Sequence, residues 1–198
     1  MYGVHLVVEE GVFPPDKGTA SKLLARSTLN FCPKRCLDMG CGTGILAILL
    51  ARNGATLVHA VDIHLPAVMC TTKNVEANGL SDRIAVIQSD LFDNSILSRG
   101  YDLLVFNHPL YPGSGRRLFG PGEEGGKKII RRFLNEAKNH LNIGGGILMP
   151  FSTFVAQEHD PATIACQLGF TCEKLGEETD GLGQHRVYLF KMKDEASC

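Results

Sequence analysis

Cys36-Leu37-Asp38-Met39-Gly40-Cys41-Gly42-Thr43-Gly44-Ile45 is the stretch whose reading decides the fold. Apolar residues around Asp38 predict a short strand over 35–40, and the apolar run from Ile45 to Ala51 predicts a helix over 43–52. Between them Gly40, Gly42 and Gly44 alternate. Without a Cβ the chain can turn sharply there and bring bare N–H groups against a ligand. A strand, a glycine-rich turn and a helix in that order are the usual seat of a nucleotide-like cofactor.

Working outward, strand-like and helix-like segments alternate, which predicts an α/β fold with a parallel sheet and crossover helices. Further strands are expected over 56–62, 83–88, 101–106 and 146–151, and helices over 65–78, 127–141 and 161–168. Residues 170–175 and 186–191 are expected to close the sheet as an antiparallel pair at one edge. Ahead of the core, Val4, Leu6 and Val8 alternate, and a helix over 17–29 is expected to lie over the first strand. The organisation predicted is one domain over 1–198, with an N-terminal cap segment at 1–34 and a core at 35–193. Residues 107–126 break the regular pattern with six glycines and three prolines. Loops of that length tend to be functional, and this one starts where ligands of open α/β sheets sit.

The chain is 44% hydrophobic and 21% charged with a formal net charge of −1, a composition with no global attraction to nucleic acid or a membrane surface. Seven cysteines occur with no Cys-x-x-Cys pair, so neither a disulfide framework nor a metal site is expected, and the thiols read as reduced in a cytoplasmic protein. No leader is expected, and the longest wholly apolar run, 45–51, is too short to span a bilayer. Arg116, Arg117, Lys127, Lys128, Arg131 and Arg132 form a basic cluster. It reads either as a surface for phosphates or an acidic protein, or as a solvated helix face.

Two cofactor classes use such a turn. A dinucleotide site wants Gly-x-Gly-x-x-Gly with an acid about 20 residues on. Here the spacing is Gly-x-Gly-x-Gly, and Asp62, at the end of the second strand, serves either class. Asp38 discriminates. A carboxylate two residues before the first glycine, where the strand opens into the cleft, repels a pyrophosphate but attracts an ammonium group, directly or through water. S-adenosylmethionine carries such a group. Asp90, closing the third strand, is then set to accept from an adenine amino group. Taken singly, Asp38 also fits a helix-capping or turn role.

These motifs (Leu-Asp-Met-Gly-Cys-Gly-Thr-Gly, Ala-Val-Asp-Ile, Ser-Asp-Leu-Phe and Tyr-Asp-Leu-Leu-Val-Phe-Asn-His-Pro-Leu) resemble those of the class I S-adenosylmethionine-dependent methyltransferases, over essentially all of residues 10–193. The resemblance implies a Rossmann-like, seven-stranded, mostly parallel sheet with an antiparallel edge strand and helices on both faces. It implies that S-adenosyl-L-methionine is the cofactor. Its methionine part would lie at Asp38, Gly40, Cys41, Gly42 and Gly44, its ribose at Asp62 and Ile63, and its adenine at Asp90 and Leu91. The segment Gly11-Val-Phe-Pro-Pro-Asp-Lys-Gly-Thr19 resembles the lead-in that covers the methionine end, which adds Phe13 and Thr19 to the cofactor site; a rigid turn before a helix is the plainer reading of Pro14-Pro15.

Within that family the chain is most similar to the HemK-like and RsmC-like branch, whose fourth strand ends in Asn-Pro-Pro-Tyr or Asn-Pro-Pro-Phe and which methylates planar nitrogens. A nitrogen conjugated to a π system is a poor nucleophile. An Asn side-chain oxygen and the next backbone carbonyl can accept its two N–H groups and aim its lone pair at the methyl. Here the motif is Asn107-His108-Pro109-Leu110-Tyr111. Asn107 would orient the acceptor and also border the cofactor, the His108 carbonyl would assist, and Pro109 and Tyr111 would shape the acceptor site. The His108 side chain is a candidate base, a carboxylate contact or a polar lining residue. A protein side chain, a nucleobase and a small metabolite stay open as acceptors, a partner subunit could supply recognition, and the alternatives are an enzyme that uses S-adenosylmethionine other than as a methyl donor and a non-catalytic cofactor-binding subunit.

Overall fold

A computed structural model of the protein describes residues 2–97, 99–109, 126–154 and 160–193. The stretch around Asp38 forms β1 (Arg35–Met39), buried on both faces, and α2 (Ile45–Arg52), in which every residue from Ile45 to Ala51 is buried. A run that is apolar all round has no solvent face to offer, so α2 is packed on every side. Before them lie a single 3-10 turn, Pro15–Lys17, and α1 (Thr19–Thr28). After them come β2 (Leu57–Asp62), α3 (Leu65–Ala77), β3 (Ile84–Gln88), β4 (Tyr101–Phe106), α4 (Lys127–Ala137), β5 (Leu141–Ser152), α5 (Pro161–Gln167), β6 (Phe170–Asp180) and β7 (Gly183–Met192).

Among the described residues the sheet has seven strands in the order β3-β2-β1-β4-β5-β7-β6. The first five are parallel, and β7 runs antiparallel between β5 and β6. From β1 the chain fills one side through β2 and β3, then crosses to β4 on the other. The crevice between the carboxyl ends of β1 and β4 is therefore the topological switch point, where open α/β sheets bind ligands.

One face of the sheet packs against α1, α2 and α3 through Leu24, Ile48, Val75 and Val105. The other packs against α4 and α5, with Phe106, Phe133, Ile147 and Ile164 at its centre. In α4 the buried residues are Ile130, Phe133, Leu134 and Ala137, the spacing of one helical face.

Three expectations change. The helix expected over 17–29 covers β5, β6 and β7 rather than β1, because α2 already occupies that position. The helix expected over 127–141 ends at Ala137, where the chain turns and the His140 carbonyl accepts from Gly100 and Tyr101. The last two strands run well beyond the expected 170–175 and 186–191, pairing from Phe170↔Met192 to Asp180↔Gly183. Val4, Leu6 and Val8 form no strand.

Candidate active site

The glycine turn is built from backbone. Gly40, Gly42 and Gly44 all have positive φ, 66°, 56° and 79°. A Cβ on Gly44 would stand 2.8 Å from Thr71 Cγ2, and one on Gly40 would meet the Phe106 ring at 3.3 Å. Gly44 caps α2 in the left-handed conformation, its N–H donating to the Cys41 carbonyl at 2.7 Å. From α3, Thr71 Oγ1 donates to the Gly42 carbonyl at 2.9 Å and Asn74 Nδ2 to the Thr43 carbonyl at 2.9 Å. Cys41 is buried beneath, its N–H bonded to the Val61 carbonyl at 2.9 Å.

Asp38 departs from its expected place. It does not open into the cleft but is fully buried beneath the turn. One oxygen accepts from the Ala47 N–H in the first turn of α2 at 3.0 Å, and the other is buried without a hydrogen-bond partner. Burial, with nearby Asp62 adding to it, pushes the carboxyl up to about 8. An orphaned carboxylate oxygen beneath a turn free of Cβ atoms fits a cation-bearing ligand: an ammonium arriving above the turn, or a water between, offsets the charge that burial disfavours.

Asp62 ties the turn to the second strand. Its Oδ2 accepts from Gly42 N–H at 3.1 Å and its Oδ1 from His64 N–H at 3.0 Å. A carboxylate has about four lone-pair sites, so two backbone bonds leave capacity for a diol. Ile63 next to it is 53% exposed, an apolar face with no covering side chain of its own. Asp90 is ion-paired: Arg132 Nη1 lies 2.8 Å from its Oδ2, and the same guanidinium reaches Asp93 at 3.0 Å and Glu136 at 2.8 Å. Arg132 is thereby removed from the basic cluster read from the sequence, and Arg131 bonds Gln167. Arg116 and Arg117 lie outside the described residues. Leu91 has φ of 48°, a left-handed conformation that costs a leucine about 1–3 kcal/mol and clusters at binding sites.

Across the switch point, Met39 pairs with Phe106, so Gly40 and Asn107 follow on neighbouring strands. Asn107 Nδ2 donates to Ser21 Oγ of α1 at 2.9 Å. His108 is only 3% exposed, its Nδ1 has no hydrogen-bond partner, and burial pushes its pKa down to about 3. The ring packs edge-on to Phe106 and close to Gly126. It is neutral and enclosed, which removes it as a charged carboxylate contact. Pro109 is exposed, its carbonyl against Gly126. Tyr111 and most of the 107–126 loop lie outside the described residues.

In the lead-in, the residue over the turn is Val12, whose Cγ1 would be 3.9 Å from a Cβ on Gly42. Phe13 instead lies against Gly18 and lines a separate pocket, and Thr19 bonds Asp180 Oδ2 at 2.5 Å. Ser21, Thr71 and Asn74 were not singled out from the sequence. Their only trace there is polarity inside a helical stripe, which Thr71 and Asn74 share at a spacing of three.

The methyltransferase small domain family matches residues 3–174. A release factor glutamine methyltransferase of Rhodopirellula baltica is 32% identical over 177 residues, 78% of this chain and 59% of that protein. A ribosomal RNA small subunit methyltransferase C of Alcanivorax borkumensis is 34% identical over 175 residues, 88% of this chain and 48% of that protein. The chain thus spans about half to three fifths of these relatives' length. In fold, a methyltransferase of Pyrococcus furiosus superposes with a TM-score of 0.73, covering 98% of this chain and 91% of that one at 17% identity. The chain belongs to the methyltransferase small domain family, among the class I methyltransferases.

Proposed function

We propose that the protein is an S-adenosylmethionine-dependent methyltransferase that methylates a planar nitrogen of a protein or nucleic acid. Bound S-adenosylmethionine supplies an electrophilic methyl on a sulfonium. Asp38 and the backbone of the Gly40–Gly44 turn, open to close approach for want of Cβ atoms, would hold its methionine part, Asp62 its ribose, and Asp90 with Leu91 its adenine. Transfer disperses charge rather than creating it, so what the chain contributes is alignment and exclusion of water.

The observation that carries the reading is Asn107. It stands one strand away from the glycine turn, and its amide nitrogen is taken by Ser21. Its Oδ1 is then the atom turned to an incoming N–H. His108, neutral across the physiological range, contributes its carbonyl rather than its ring to this arrangement. Alignment of this kind is worth about 7–11 kcal/mol when the reacting atoms are held in line. The acceptor arrives on a macromolecular partner in the cytoplasm; among the described residues no helix is long and apolar enough to cross a membrane.

The test is transfer of labelled methyl from S-adenosylmethionine into a fractionated lysate. Label in protein or nucleic acid, recovered as an N-methyl group, supports the reading. Label confined to small molecules overturns it.

A further inference from the structure

Asn74 of α3, a carboxamide with no exposed surface, makes hydrogen bonds in two directions. One hydrogen of its Nδ2 goes to the Thr43 carbonyl at 2.9 Å, inside the glycine turn. The other goes to the Val7 carbonyl at 2.8 Å, and its Oδ1 accepts from the Val7 N–H at 2.8 Å. An amide has only two hydrogens to give, so the side chain is fully committed between the turn and the N-terminal segment. That segment takes its main-chain partners from side chains rather than from a strand. Arg52 of α2 donates to the Gly3 carbonyl at 2.9 Å, Asn78 to the His5 carbonyl at 2.9 Å and Cys70 to the Val7 carbonyl at 3.4 Å. Lys73 pairs with Glu9 at 2.6 Å. Further on, Val12 turns inward, packs with Ala67 and Cys70 of α3, and stands over Gly42. The bond to Thr43 also shapes the turn. In a trans peptide the carbonyl and the following N–H point in opposite directions, so holding the Thr43 carbonyl on α3 directs the Gly44 N–H onto the Cys41 carbonyl at 2.7 Å.

We propose that Asn74 is a positioning residue for the cofactor: it couples the docking of residues 3–12 to the shape of the Gly40–Gly44 turn, so that S-adenosylmethionine binds tightly only with the segment in place. The inference rests on the methyltransferase reading above. A ligand settled against the turn favours the closed turn, which keeps Asn74 in position, which in turn seats the segment. Backbone held by side-chain bonds at the surface opens more readily than a helix or strand, so the segment is the part free to respond. Val7 is 52% exposed, whereas Asn74 and the helix α2 that follows the turn are buried. Coupling of this kind is reciprocal: the seated segment tightens the ligand by the factor by which the ligand tightens the segment.

The test follows backbone hydrogen exchange in the full chain, labelled with nitrogen-15, with and without saturating S-adenosylhomocysteine. The Val7 N–H is donated to Asn74, so its exchange reports release of the segment. It is expected to exchange faster than the Ile48 amide of buried α2, which reports unfolding, and to slow about tenfold with the ligand. By reciprocity Val7→Pro, which removes the donated N–H and leaves Asn74 untouched, should weaken S-adenosylhomocysteine about tenfold. Val7 lies in no helix or strand, so this variant keeps the core. Asn74→Leu should weaken the ligand at least as much, and its Val7 amide should no longer respond. A brace serving stability alone would lower the melting temperature of Asn74→Leu and leave Val7 exchange blind to the ligand. Val7 exchange unchanged by the ligand, or equal affinity in Val7→Pro, overturns the coupling. Failure of S-adenosylhomocysteine to bind the unaltered chain overturns the methyltransferase reading itself.

Discussion

The two sides of the crevice between β1 and β4 are held by different means. On the β1–β2–β3 side the proposed cofactor site is framed by main chain: a turn of three left-handed glycines, braced by Asp62, Thr71 and Asn74, and a left-handed Leu91. On the β4 side the proposed acceptor contact is a side chain positioned by another element, Asn107 by Ser21 of α1. A main-chain site is fixed by φ and by the absence of Cβ atoms, so few sequences can build it. A side-chain site depends on which residues a distant helix or hairpin presents, so it varies without disturbing the fold. The first half suits a cofactor common to many enzymes, the second an acceptor particular to one.

Removing Asp62 should break the first side most. Asp62→Ala deletes two bonds from the Gly42 and His64 N–H groups as well as the proposed ribose contact. Calorimetry should show S-adenosylmethionine affinity falling about 100-fold, the equivalent of about 3 kcal/mol. Unchanged affinity would sink the cofactor assignment.

Gly44→Ala sharpens the reason for that rigidity. The left-handed φ alone costs about 1–2 kcal/mol in stability, and the contact with Thr71 Cγ2 adds to it. Adding Thr71→Ser removes the methyl but not the strain, so denaturant unfolding of the double variant should recover only part of the loss. Full recovery would show that φ is not the constraint.

Asp38 separates stability from binding by pH. In the folded chain its carboxyl keeps a proton up to about 8, whereas its unfolded value is 3.8. The folded state binds more protons in between, so stability falls as pH rises from 4 to 8. Asp38→Asn should therefore melt higher than the unaltered chain at pH 8, with the advantage vanishing below pH 4, and bind S-adenosylmethionine less well. A lower melting temperature at pH 8 would contradict the buried, unpaired carboxylate. The smallest effect belongs to Arg132→Gln. Its partly exposed pairs are worth about 0–1 kcal/mol, so S-adenosylmethionine affinity should change less than about threefold.

The difference between the two sides also governs what the sequence disclosed. Gly40, Gly42 and Gly44 announce their own backbone, and the apolar run 45–51 announces a buried helix, so the strand, turn and crossover were legible. The burial of Asp38 was not, because a lone acid at a strand end looks the same whether it faces a cleft or lies under a helix. The partner of Asp90 was hidden for a similar reason. Arg132 sits 42 residues away and reads as one more cation on a basic face. The partners of Asn74 were hidden too, since Val7 and Thr43 lie 67 and 31 residues from it.

Asn107→Ala tests the central claim most directly: Asn107 orients the acceptor, and bordering the cofactor it adds little to holding it. Paired measurements on this variant should find S-adenosylhomocysteine affinity within about twofold of the unaltered chain and single-turnover methyl transfer reduced about 100-fold, the scale seen when one preorganised contact is removed. Transfer at the original rate, or affinity and transfer falling together, would contradict the account.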